Sequence, residues 1–455
     1  MRLLRLAGSV ALLVNSAMGV DLDLGDEASI REAASTIAFG LARFYTGNNT
    51  GDNPGNLPDP YFWWEAGAMF GTLVDYWALT GDDSYNAITL QALVHQATPM
   101  ADFMPRNQTR TMGNDDQGFW GLAAMSAAET NFPNPPPEDP QWLELAQSLF
   151  NQWVSRWDVE ACGGGIRWQV HRFNTGFDYK NSISNGCFFN IASRLARYTG
   201  NQTYAEWASR IFEWEETIGL ISPQYEVHDG MSTDLLTHEC SRMDPTLWTY
   251  NAGIHLHGAA VMYNITNSTI WGQRVNGILN TTTNRFFNNS IMFEQLCEPH
   301  ESCNVDQRSF KGYLTRWLAA TTQVAPDTYN IIRPLLESDA TAAARSCTGS
   351  PVDGFRGHPG TACGFKWTTG GYDGYVGVGE QMNALSAIMY TLVDRVPPPL
   401  TADTGGTSQG NPNAGTHTYT FEYFRPITTG DRVGAWILTV IIMGSVAGAS
   451  YYMVR

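Results

Sequence analysis

Positive charge is scarce in this sequence. It has 27 Lys and Arg against 44 Asp and Glu, a formal net charge of −17, and no stretch where Lys and Arg cluster. Nucleic acid and anionic membrane surfaces are bound by such clusters, so neither is expected as a partner. Cysteine is sparse as well, seven residues with no CxxC pair. His255 and His257 in "HLH" are too isolated to argue for zinc. No stretch has the EF-hand spacing, and no cofactor motif occurs, so no cofactor or metal is expected. Strand-like alternation of apolar and polar residues is also sparse.

What is present points to an exported protein. Residues 1–19 have the form of a secretory signal: Arg2 and Arg5, a short apolar run, then small residues at Ala17 and Gly19. The competing reading is a buried N-terminal helix. At the other end, 433–455 is an apolar stretch long enough to span a bilayer. It follows a Gly, Ser and Thr-rich segment within 397–432, the pattern of a GPI-attachment signal. An ordinary single-span anchor is the alternative. Seven Asn-x-Ser/Thr triplets, opened by Asn48, Asn107, Asn201, Asn264, Asn267, Asn280 and Asn288, agree with a glycosylated surface. In an exported chain the cysteines are expected as disulfides, and proximity pairs Cys297 with Cys303 and Cys347 with Cys363. Cys162, Cys187 and Cys240 remain unassigned, and one cysteine is left over.

Between these ends, 20–396 reads as one all-α domain. Twelve segments carry apolar residues at three- and four-residue steps, as half-buried helices do: 30–45, 63–79, 85–97, 118–128, 142–157, 185–199, 204–218, 250–263, 270–282, 311–323, 329–346 and 380–394. A weak repeat runs through them. "YWALTGDDSYNAIT" (76–89) resembles "ARYTGNQTYAEWA" (196–208) and, more loosely, "VMYNITNSTIWGQRV" (261–275). Each ends one helix, turns on polar residues, and opens the next helix with an aromatic. Six such helical hairpins closing in a ring make an (α/α)6 barrel; an open solenoid is the alternative. A ring would gather one set of helix N-termini around a single concave face.

Two adjacent aspartates, Asp115 and Asp116 in "GNDDQGFW", stand where one of these helices begins. An Asp-Asp pair alone means little: Asp82 and Asp83 in "TGDDSY" fit a capping turn. Asp115 and Asp116 differ in their setting. Gly113 lets the chain turn tightly, Asn114 and Gln117 offer amides, and Phe119 and Trp120 offer apolar surface. A helix start favours one ionised carboxylate, while apolar rings and a like charge keep the other protonated. Glycoside hydrolysis asks for that split, a nucleophile beside a general acid. Neighbouring residues have Cα atoms about 3.8 Å apart, which favours the retaining carboxyl separation over the wider inverting one. Other helix starts mix carboxylate, amide and aromatic in the same way. They contribute Lys180, Asn181 and Asn185 of "YKNSISNG", Asp229 of "VHDGMS" and Asn251 of "WTYNAG". Asp306 and Lys311 of "DQRSFKGY" and Glu380 and Gln381 of "GVGEQMN" complete the set. Each is also a plausible helix cap. Trp63 and Trp64 either stack on sugar rings or fill the core.

At these residues the sequence resembles glycoside hydrolase family 76, the endo-α-1,6-mannanases, and within it the fungal GPI-anchored cell-wall members of the Dfg/Dcw type. "GNDDQGFWGLAAMSAAE", "YKNSISNG", "VHDGMS", "WTYNAG" and "FKGYLTRWL" carry the resemblance in order, and it covers about 21–394. The resemblance implies an (α/α)6 barrel and a retaining mechanism on α-1,6-linked mannose. Asp115 would be the nucleophile, Asp116 the acid/base, and Asp229 would lie near the reacting sugar. It also implies transfer of GPI-anchored proteins from the mannose core of their glycan onto wall β-glucan, at the outer face of the plasma membrane or in the wall. One departure is Ala252, where bacterial members often have Gln after "YN"; it puts their substrate contacts in doubt here. Three rival readings stand: plain endo-α-1,6-mannan hydrolysis, a mannan-binding wall protein without turnover, and an inverting hydrolase on a similar scaffold.

Overall fold

A computed structural model describes residues 19–416 and 428–454. The signal reading concerns residues 1–19, of which 1–18 lie outside the described residues. Twelve α-helices lie among the described residues of the larger unit. Six form an inner ring: α2 (Trp63–Thr80), α4 (Asn114–Thr130), α6 (Ser182–Thr199), α8 (Thr249–Thr266), α10 (Phe310–Val324) and α12 (Val378–Met389). Each packs on the next, and α12 packs back on α2, so the ring closes. Six more lie outside it: α1 (Glu27–Ala42), α3 (Asn86–Gln96), α5 (Trp142–Ser155), α7 (Gln202–Ile218), α9 (Thr269–Phe286) and α11 (Tyr329–Ser346). This is an (α/α)6 barrel, and closure between α12 and α2 excludes the open solenoid.

Burial separates the two rings. Every residue of α12 is buried, as is nearly all of α6, polar Asn185, Glu380 and Gln381 included. α7 buries one stripe, including Tyr204, Ala208, Ile211 and Phe212, and turns the rest to solvent. The sequence repeat marks the short turns from inner to outer helix. α2, α6 and α8 end in the left-handed conformation at Gly81, Gly200 and Asn267 respectively.

The returns from outer to inner helix are long, and all run to the N-terminal ends of the inner helices. Some of them hold strands, and along the two longer ones burial does not alternate residue by residue. β1 (Tyr179–Asn181), β2 (His228–Thr233) and β3 (Cys240–Leu247) form an antiparallel sheet that pairs Lys180 with Met231 and Asn181 with Gly230. Three disulfides join the described cysteines: Cys162–Cys240, Cys297–Cys303 and Cys347–Cys363. Cys187 is free and buried, and burial pushes its thiol well up from its ordinary value. All seven sequon asparagines are exposed.

The segment read as a linker from 397 departs from that reading up to Thr416, which ends the larger unit. Leu400 N–H donates to the Glu129 carbonyl at 2.8 Å, and Asn151 Nδ2 donates to the carbonyls of Pro412 at 2.8 Å and Ala414 at 2.7 Å. Outer-helix side chains thus order a stretch whose composition looks flexible. The second unit contains α13 (Thr429–Val454), whose Thr429–Met453 portion is long and apolar enough to cross a membrane.

Candidate active site

Asp115 and Asp116 occupy the first turn of α4, at the mouth of the barrel. The helix starts at Asn114, four residues before the segment that periodicity marks, because polar residues fill its first turn. Asp116 Oδ2 accepts the Gly113 N–H at 2.7 Å, capping the helix end. Asp115 Oδ1 accepts the Asp116 N–H at 3.1 Å, and its Oδ2 accepts Asn181 Nδ2 at 3.1 Å. Asn181 also caps α6, taking the Ser184 N–H on its Oδ1 at 3.3 Å. One side chain therefore starts α6 and holds Asp115. Gly113 is extended, with φ −83° and ψ 160°, a conformation any residue adopts. Its glycine identity answers to space instead. A Cβ there would collide with the Asp115 carboxylate and crowd the Trp168 indole nitrogen.

Both aspartates are half-buried. Burial pushes both acids up from the usual carboxylate range. Repulsion from Asp116 adds to the rise at Asp115. Asp116 is pushed up to about 6, with the Gly113 N–H opposing and Asp306 adding to the rise. The helix end thus does not hold one carboxyl at an ordinary value, as the sequence suggested: burial outweighs it. The dyad titrates as a pair and holds a proton into the weakly acid range.

Several further groups surround the dyad. Asp229, on β2, accepts the Tyr179 hydroxyl at 2.6 Å; burial raises it, while Tyr179 and Trp248 oppose by hydrogen bonding. Asp306 is also raised by burial, against a hydrogen bond from Trp64. Glu380 is raised by burial and sits 3.2 Å from Arg308 Nη1. Glu65, in the first turn of α2, is fully buried, with neither carboxyl oxygen hydrogen-bonded among the described residues. Burial first, then Asp306 and Glu380, push it far up. Tyr250, half-buried at the start of α8, is raised by burial and feels Asp229, Asp115 and Asp306 together. These groups come from α2, α4, α8, the β1–β2 sheet and the approaches to α10 and α12, and they converge on one rim.

Other sequence candidates do structural work. Asn114 gives its amide to the Arg167 carbonyl at 2.7 Å and takes Arg156 Nη1 at 2.8 Å. Gln117 is tied to Arg156 at 2.7 Å and to Gln152 at 2.8 Å. Trp63 and Trp120 stack in the core at 5.2 Å, whereas Trp64 packs on Phe119 beside Asp306. Lys180 is wholly buried and donates to the carbonyls of Asp158, Ala161 and Gly164. Asn185 bonds Ile166 and the Asn181 carbonyl, and the Gln381 carbonyl oxygen takes the Cys363 N–H at 2.7 Å. Lys311 is held by Glu298 at 3.1 Å and the Phe365 carbonyl at 2.5 Å. Asn251 is fully buried, with no partner for its side-chain amide among the described residues. Of the candidates in "YKNSISNG" Asn181 alone reaches the dyad, and Tyr250, beside Asn251, feels Asp115. Alternation on a strand could have separated Asn181 from Lys180 in advance, since successive side chains point to opposite faces.

A closed double ring of helices with paired carboxyls at one mouth has the architecture of a barrel glycosidase. Glycosyl hydrolase family 76 matches residues 29–403, and the chain belongs to that family. It is 46% identical to Mannan endo-1,6-alpha-mannosidase DCW1 of Saccharomyces cerevisiae over 439 residues, 96% of this chain and 95% of that one. It is 41% identical to Mannan endo-1,6-alpha-mannosidase DFG5 of the same yeast over 440 residues, 95% of this chain and 94% of that one. Among solved structures it resembles Dfg5 from Chaetomium thermophilum in complex with glucosamine, with TM-score 0.83 and 43% identity over 88% of this chain and 99% of that one. An α-1,6-mannanase of Salegentibacter shares the fold, with TM-score 0.62 at 18% identity over 80% of this chain and 98% of that one.

Proposed function

We propose that this chain is a retaining α-1,6-mannosidase that passes its mannosyl group to a sugar hydroxyl, with Asp115 as nucleophile and Asp116 as acid/base. The observation that carries the reading is the dyad itself: two adjacent, half-buried carboxyls whose burial keeps a proton on the pair. Asp115 accepts two N–H groups, from Asn181 and Asp116, which favours its charged form in the reacting state. Asp116 protonates the glycosidic oxygen while Asp115 attacks the anomeric carbon, and the C–O bond to the leaving group breaks. The ionised Asp116 then takes a proton from the incoming hydroxyl, whose oxygen displaces Asp115 and releases the product. Asp229, Asp306, Glu380, Trp64 and Tyr250 bind and orient the sugar in this reading.

The names of the yeast relatives support α-1,6-linked mannose as the donor. The glucosamine bound to the Chaetomium protein supports a GPI glycan as the natural donor, because that core joins mannose to glucosamine. The acceptor in this reading is wall β-glucan. The exposed sequons and the apolar α13 support export and a GPI signal, with residence at the outer membrane face or in the wall.

The test is incubation with α-1,6-mannooligosaccharides, with and without a β-glucan oligosaccharide, following early products by NMR. Retention predicts products of α configuration, and transfer predicts mannosylated glucan. Early β products would point to inversion, and binding without products to a lectin. Release of the cell-surface protein by a phosphatidylinositol-specific phospholipase tests the anchor; retention on the membrane after treatment favours a spanning helix.

A further inference from the structure

Tyr250 and Phe310 stack face to face, with centroids 3.9 Å and planes 6° apart. They stand at the starts of α8 and α10, neighbours in the inner ring. Their sequence neighbours, Thr249 and Lys311, enter a buried polar knot. Glu294 is fully buried there, and its Oε1 accepts both the Thr249 N–H, at 3.2 Å, and the Thr249 hydroxyl. The backbone N–H of Glu294 donates to Glu298 Oε2 at 3.0 Å, and that same oxygen takes Lys311 Nζ at 3.1 Å. Glu298 belongs to the short loop closed by Cys297 and Cys303.

We infer that Glu294 is a positioning residue for the sugar cleft. Its carboxyl holds Thr249 directly and its backbone N–H holds the Glu298 carboxylate that takes Lys311, so the first turns of α8 and α10 are tied at one residue and the Tyr250–Phe310 stack stands as one fixed wall. This inference rests on the mannosidase reading for its ligand. Two features single out Glu294 over other buried polar groups. It touches the residue between Trp248, which hydrogen-bonds Asp229, and Tyr250, which lies among Asp115, Asp229 and Asp306. It is also the link between two helices that each present one ring of the stack. Burial pushes its carboxyl up to about 8, so a neutral amide is a fair replacement near pH 7 whereas a methyl is not.

The experiment measures binding of α-1,6-mannotetraose to the full-length protein and its kcat and KM, with ligand-free crystal structures of the variants. Glu294→Ala is expected to weaken binding about tenfold while kcat stays within about threefold, and Glu294→Gln to stay within about twofold of wild type. Tyr250→Ala is expected to weaken binding by a similar factor, and the double variant Tyr250→Ala with Glu294→Ala to lose no more than Tyr250→Ala alone. If Glu294→Ala does not fold, Thr249→Val, which removes only the hydroxyl donor, replaces it with an expected loss of about threefold. Additive losses, or a Gln variant as weak as the Ala variant, overturn the inference. So does a ligand-free Glu294→Ala structure with the rings still stacked in place. A wild-type protein that binds no mannotetraose counts against the mannosidase reading instead, and the ligand-free structures still decide the positioning role.

Discussion

Two pairs of adjacent aspartates stand at helix ends in this barrel. Asp82 and Asp83 follow the C-terminus of α2; Asp115 and Asp116 open α4. Burial pushes Asp82 up, but hydrogen bonds from Ser84 and Tyr76 outweigh it and hold the carboxyl below its usual range. Burial pushes Asp115 and Asp116 up, and their few hydrogen bonds do not bring them back. The preceding glycines differ in the same way. Gly81 has φ +74° with open space around it, so the backbone conformation demands glycine. Gly113 is ordinary extended backbone, and the Asp115 carboxylate beside it demands glycine. One pair builds a turn, and the other carries carboxyls raised by burial. The dipeptide is the same, and the surroundings decide its chemistry.

The sharpest way to break this comparison is exchange of each aspartate for asparagine. Asp115→Asn and Asp116→Asn are each expected to lower kcat on α-1,6-mannooligosaccharides by about 10²–10⁴-fold. Asp82→Asn and Asp83→Asn are expected to leave it within about twofold. Comparable losses at both pairs would erase the distinction. Asn181→Ala removes the side-chain donor to Asp115, a charge-assisted bond worth about 1.5–3 kcal/mol, so kcat/KM should fall by about 10–100-fold. Its N-cap of α6 is lost as well, and the thermal midpoint of Asn181→Gly, which restores most of a cap, separates the two effects.

The glycines refine the contrast. Gly113→Ala is expected to displace Asp115 and lower kcat, with a stability cost of about 1–3 kcal/mol. Gly81→Ala is expected to cost about 1 kcal/mol of stability and no activity. A further contrast is a difference of sign with pH. The folded value of Asp116, about 6, lies above the unfolded value, so the protein loses stability as pH rises from about 4 to 6. Asp116→Asn should therefore stabilise at pH 7, by about 1–2 kcal/mol, and be neutral below pH 4. Asp82 is depressed, so its contribution is present above its unfolded value and fades as pH falls through the folded one. Its exposure limits this to a few tenths of a kcal/mol. Asp82→Asn should thus destabilise slightly at pH 7, and urea titrations at both pH values measure each sign.

Within the barrel, helix number and order were legible from the chain alone, because burial of one face, or of all faces, imposes a period on the residues themselves. All twelve apolar-periodic segments correspond to helices. The repeat marked the inner-to-outer turns, because each turn must stop one helix and start another with local chemistry. The rim was less legible. Lys180, Asn185, Lys311 and Gln381 share their motifs with the groups that face the dyad, yet each turns into the protein to satisfy backbone or carboxyl groups. The strap up to Thr416 has a linker's composition and is ordered by partners on α4 and α5.

The sequence by itself determined the all-helical class, the paired helices and the aspartate pair worth testing, since these depend on periodicity, turn chemistry and adjacency within a few residues. Only the tertiary structure decided ring closure, the direction each polar side chain takes, and the protonation of the dyad. Those depend on which residues, far apart in the chain, exclude water from the same few ångströms. Asp115 is held by Asn181, and Asp116 feels Asp306. Long-range burial and charge of that kind act through space and leave no local pattern to read.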